Sequence, residues 1–167
     1  MQYGIGDKVV HPRYGPGRIA GIQQWEPGGE ANCYYVIEIP QQGLTVRVPV
    51  LKADEVGMRP AMPPSRLPQL LGTLQSTPRR LPDDHKMRQE QIGAEFRTGQ
   101  VLDLAMVVRD LTWHGQHARL TKSDVDYLRL GQDLLAAEMS LVSGEGLTES
   151  SQRIGSAIAA ALAGKAA

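Results

Sequence analysis

Apolar residues recur with two different periods along this chain, and the change falls near residue 62. Before it, short runs alternate with turn residues: DKVVHP, GRIAGIQQW, NCYYVIEIP and LTVRVPV, separated by RYGPG, EPGGE and QQG. In LTVRVPV, Leu44, Val46, Val48 and Val50 fall on one side of an extended chain, and Thr45, Arg47 and Pro49 on the other. That is the period of a half-buried strand. Pro49 has no N–H, which places this strand at a sheet edge or near its own end. The pattern leaves open whether LTVRVPV or its neighbour NCYYVIEIP supplies an edge that a partner strand could join. Four or five such strands, with Gly15, Gly17, Gly28, Gly29 and Gly43 supplying positive φ at the connections, predict a small antiparallel barrel or rolled sheet.

The stretch 58–68, MRPAMPPSRLP, holds four prolines in eleven residues and reads as a stiff linker. Beyond it the period becomes helical. Helices are predicted over 65–76, over 83–98 with Met87, Ile92 and Phe96 as thin apolar content, and over 100–114 with Val101, Leu104, Val108 and Leu111 as a stripe. A capping-box pattern at Thr121–Asp124 opens a helix to about 142 with Val125, Leu128, Leu135, Met139 and Val142, and an Ala-rich helix covers 148–163. The fold class is therefore α+β in two domains: a β module over 1–60, a linker over 61–68 and an all-α bundle over 69–167.

Charge changes this picture only when it is divided by region. The net charge is zero. Residues 61–122 carry nine basic side chains against six acidic, and residues 123–167 three against six, so a basic middle is masked by an acidic tail. Arg79, Arg80, His85, Lys86, Arg88 and Arg97 gather at the start of a helix with little apolar face, a setting that suits phosphate contacts. Trp25 ends a strand, where it is either an interface anchor or a ring that caps the barrel; Trp113, at the end of an apolar helix, is expected in the core.

Chemistry is less well represented. No G-x-S-x-G, P-loop or H-E-x-x-H pattern occurs. His114 and His117 have a spacing a metal could use, but Gly115 lies between them and no carboxylate follows at helical spacing. Asp83 and Asp84 read as helix N-cap and dipole partners, and His11 as a strand-end residue. Cys33 is the single cysteine, which excludes a disulfide framework and fits a reducing compartment. No run matches the roughly 18 apolar residues of a membrane span, and no leader pattern is present. A monomeric, cytoplasmic protein that is not an enzyme and needs no cofactor is expected.

Three motifs, GDKVVHPRYGPG, LTVRVPV with VGMR after it, and the later VVRDL, resemble the CarD/CdnL family of bacterial transcription regulators in order and spacing. The resemblance implies a Tudor/SH3-like β-barrel that binds the RNA polymerase β subunit, similar to the module of transcription-repair coupling factors. It also implies a helical domain that touches promoter DNA at the upstream edge of the transcription bubble and stabilises the open complex, without sequence readout. Arg47 matches the arginine that meets polymerase, with Thr45 and Pro49 beside it; Trp25 stands where relatives carry a basic contact. His85 falls where relatives carry a tryptophan that wedges into the minor groove. Lys86 and Arg88 take the places of phosphate contacts, and Arg119 and Lys122 offer a second. The alternative is an adaptor that sits on polymerase and grips another protein without touching DNA.

Overall fold

A computed structural model describes residues 2–25 and 32–165. It divides into two compact units, Met1–Met62 and Pro63–Ala167.

The first unit is one antiparallel sheet of five strands: β1 (Lys8–His11), β2 (Gly15–Trp25), β3 (Asn32–Ile39), β4 (Leu44–Pro49) and β5 (Arg59–Pro60), in the order β4-β3-β2-β1-β5. The alternation read from sequence sorts the two faces. Val9, Ile19, Tyr35, Ile37, Ile39 and Val48 fill the core with Ala53 and Met58. Pro49 ends β4, and Val50 turns into a 3-10 turn over Val50–Lys52, as expected of a residue that cannot extend the ladder.

The glycines divide by cause. Gly15 and Gly43 have φ of 93° and 61°, the left-handed region where a Cβ is penalised. Gly17 does not need that region, contrary to expectation. A Cβ there would lie 2.5 Å from the Glu38 carbonyl oxygen and 2.6 Å from Ile39 Cδ1, so it is glycine because β2 and β3 approach too closely for a side chain. Gly28 and Gly29 lie outside the described residues.

The second unit holds five helices: α1 (Leu67–Gln75), α2 (His85–Thr98), α3 (Val101–His117), α4 (Lys122–Ser143) and α5 (Leu147–Gly164). Asp84 caps α2, its carboxylate accepting from the Met87 N–H at 3.0 Å. Thr121 and Asp124 form the reciprocal capping box that opens α4. Gly99 and Gly144 end α2 and α4 in the left-handed conformation.

Helix α3 is the centre of this unit and runs a turn further than the stripe suggests. Gly115 does not end it; a Cβ there would come within 3.1 Å of Leu120, so the glycine makes room for the chain that follows. Leu81, Ile92, Val107 and Leu111 form a buried cluster with Phe96, Leu120, Tyr127 and Leu128 against it. Met87 does not join it and is 60% exposed. Trp113 is half-buried, with the Lys165 ammonium 4.2 Å from its ring centre and the His117 ring at the same distance.

Candidate functional sites

The question left open about the sheet edge is answered by the strand order. Among the described residues, β3 lies between β2 and β4, whereas β4 has a strand on one side only. An edge strand presents unpaired N–H and C=O groups to a partner. On its outer face, Thr45 stands opposite Glu38, Arg47 opposite Val36 and Pro49 opposite Tyr34. Arg47 is exposed, and its Nε donates to Gln23 Oε1 on β2 at 3.4 Å. The arginine stem therefore crosses Val36, which is 9% exposed although it faces outward, as long cationic side chains do over apolar surface. Just past the strand, Leu51 is 93% exposed. Trp25 pairs with Asn32 at the far end of β2, and its side chain lies outside the described residues.

The basic side chains of the middle region, with His85 beside them, separate into presented and buried ones. His85, Lys86, Arg119 and Lys122 are exposed around the first turns of α2 and α4. Arg88 is not with them, and this corrects its expected role as a phosphate contact. It is 2% exposed. Its Nε and Nη2 donate to the two Asp124 oxygens at 3.0 and 2.8 Å, and its Nη1 donates to the Pro82 and Asp83 carbonyls, both at 3.0 Å. The side chain is spent on joining the start of α2 to the start of α4. The hydrogen bonds it donates to Asp124 raise the pKa of Arg88 above its ordinary value. Burial opposes the charge on Asp124, but Arg88 and the Thr121 N–H outweigh it and hold the carboxyl below the usual range.

The sequence also gave no hint of a second buried network, although VVRDL contains its centre. Asp110 is fully buried and accepts from the Arg79 N–H at 2.9 Å, from Arg79 Nε at 2.6 Å and from Arg109 Nε at 2.8 Å. Arg109 continues to the Thr73 carbonyl at 3.0 Å and Ser76 Oγ at 2.5 Å. Arg79 also reaches Glu95 at 2.9 Å. These bonds, the Lys165 ammonium on the Pro78 carbonyl and buried Leu81 pin the connector between α1 and α2, which has no regular structure of its own.

Among the described residues, no three histidine, cysteine or carboxylate side chains are grouped as a metal site, and no helix is long and apolar enough to cross a membrane. His117 donates Nδ1–H to the Trp113 carbonyl at 2.9 Å. His11 is more than a strand end. Its Nδ1 accepts the N–H of Arg13 at 3.1 Å and of Tyr14 at 3.4 Å, which only an unprotonated Nδ1 can do.

Burial, then nearby Arg13, lowers the pKa of His11; burial, then Arg88, lowers that of His114. The unfolded chain therefore binds more protons in the window just below the ordinary 6.5, and stability rises with pH across it. We expect the melting temperature to fall as pH drops from about 7.5 to 5.5, crossing the unperturbed histidine pKa. His11→Asn, which keeps an acceptor for the turn but cannot titrate, should flatten part of that fall. An unchanged slope in thermal unfolding across this range would contradict it.

An antiparallel sheet with an open outer strand, followed by a helical unit whose α2 and α4 starts are joined by a buried ion pair, is an architecture of two modules. The matches agree. Residues 3–62 match the CarD-like/TRCF RID domain and residues 69–154 the CarD C-terminal domain. A proposed transcription factor of Bacillus subtilis (strain 168), YdeB, is 30% identical over 142 residues, covering 84% of this chain and 92% of that protein. The chain belongs to the CarD-like family of transcription regulators.

Proposed function

We propose that this transcription regulator binds the RNA polymerase β subunit through the β4 edge and contacts promoter DNA, without sequence readout, through the starts of α2 and α4. The observation that carries the first half is the open edge of β4, with Arg47 exposed on the outer face and its guanidinium reaching over β3 toward Gln23 of β2. Main-chain bonds to an added strand supply affinity, and Thr45, Arg47 and Pro49 supply selection. Trp25, at the end of β2, is a further polymerase contact in this reading. The RID match over residues 3–62 supports a polymerase partner.

The second half rests on His85, Lys86, Arg119 and Lys122. Lysine and arginine ammonium and guanidinium groups set phosphate affinity and leave sequence unread. His85 is the first residue of α2; in the wedge position it stacks on or hydrogen-bonds to a base at the upstream bubble edge, with less apolar area than an indole. A contact tethered by polymerase acts at high effective concentration, so it need not be tight. Zero net charge is then no objection. The result is a more stable open complex, formed where polymerase and chromosome meet, in the cytoplasm.

Burial of Arg88 removes one cation from the DNA surface and thereby favours the adaptor reading, in which the helical unit grips a protein. Retention of purified β subunit on the immobilised full chain tests the shared first step. The β subunit is expected to be retained, and its passage without retention would overturn both readings.

A further inference from the structure

Arg79 and Arg80 are neighbours in sequence and opposites in the fold. Arg79 is held by two carboxylates, one of them the fully buried Asp110. Burial opposes its charge, but the hydrogen bonds it donates to Asp110 and Glu95 outweigh burial and raise its pKa above the ordinary value. The backbone on either side of Arg80 is thereby fixed: the Arg79 N–H is bound to Asp110, and Leu81 is 1% exposed in the apolar cluster. Between these two anchors the Arg80 side chain is 75% exposed. A flexible connector would spread such a side chain over many positions. This one presents it from a clamped main chain.

Its location is set by Asp83. Arg80 Nη2 lies 3.2 Å from Asp83 Oδ2, and Asp83 precedes the residue that caps α2. The guanidinium therefore stands within a turn of the helix start that carries His85 and Lys86. Both members of this ion pair are about three-quarters exposed, and a pair so exposed contributes little. Arg80 can exchange Asp83 for a phosphate at small cost, whereas Arg79 would have to leave a buried carboxylate unpaired.

We infer that Arg80 is a further nucleic-acid contact, a guanidinium aimed at the phosphate backbone by the clamped connector, and that Asp83 holds it until DNA arrives. This rests on the reading that the start of α2 meets DNA. The bidentate fork of arginine suits a phosphate.

The test is the affinity of the full chain for a random-sequence DNA duplex at several salt concentrations, with thermal unfolding alongside. Arg80→Ala is expected to weaken binding several-fold and to reduce the salt slope by about 0.9, the value of one phosphate contact on duplex DNA. Its melting temperature should stay that of the wild type. Arg80→Lys should restore most of the slope. Asp83→Asn should tighten binding, and that gain should vanish in the Arg80→Ala background. Lys86→Ala is the control for the underlying reading. Weaker binding by Lys86→Ala with an unchanged slope for Arg80→Ala overturns the inference alone. No change in either variant overturns the DNA reading and the inference with it.

Discussion

Arg88→Ala is expected to destabilise the helical unit by about 3–5 kcal/mol, the usual result of breaking a buried ion pair from one side. The size follows from what is left behind. Asp124, 0% exposed, would keep only its helix-capping bonds for a full negative charge. The Pro82 and Asp83 carbonyls would lose their donor at the same time. A loss of this size would lower the melting temperature by more than about 10 °C. The same change at Lys86, two residues away and exposed, should move it by no more than about 0.5 kcal/mol. Thermal or denaturant unfolding of the three chains checks this. Equal stabilities for wild type and Arg88→Ala would mean the pair is not formed in solution. A charge reversal at Arg88 is for the same reason a poor test of DNA binding, since it would unfold what it is meant to probe.

Arg47→Glu is expected to weaken binding to the β subunit at least about thirtyfold, the effect of an arginine hot spot at about 2 kcal/mol or more. The wild-type side chain is exposed and, among the described residues, makes one long hydrogen bond, to Gln23, so the fold loses little when it is removed. The substitution leaves the backbone edge of β4 in place but puts a carboxylate where the partner meets a guanidinium. Reversal adds repulsion to lost attraction, and both act on dissociation of a complex already steered together. Titration of the labelled β subunit with each full chain gives the two dissociation constants, and unfolding curves give the control. Equal affinities would remove Arg47 from the interface.

Local pattern made much of the fold legible. Alternation in LTVRVPV sorted Val46 and Val48 from Arg47, and proline at 49 marked the end of the strand. The same alternation could not say which strand is the edge, because pairing order is set by distant segments. Helix starts at Asp84 and Thr121 were readable because a cap is decided within four residues. The buried pairs were not. Arg88 and Asp124 are 36 positions apart, and an arginine in a basic run looks the same whether it faces water or a carboxylate. Asp124 was visible as a cap and not as an ion-pair partner. In VVRDL, Arg109 and Asp110 fall off the stripe of Val101, Leu104, Val108 and Leu111, at positions that read as the polar side of α3, so nothing local marks them as the buried anchors of the connector. Gly17 was read as a turn residue since its real cause, the Glu38 carbonyl against it, lies on another strand.

The central claim is that one chain holds polymerase by the β4 edge and promoter DNA by the starts of α2 and α4. Its most direct measurement is the lifetime of open promoter complexes formed by the cognate polymerase, with the wild-type chain and with a chain carrying Lys86→Glu and Lys122→Glu. Both substituted positions are exposed, so folding and β-subunit affinity should be retained. The wild type should lengthen the lifetime, and the doubly reversed chain, though still bound to polymerase, should not. Full lengthening by the reversed chain would contradict it and leave the adaptor reading in its place.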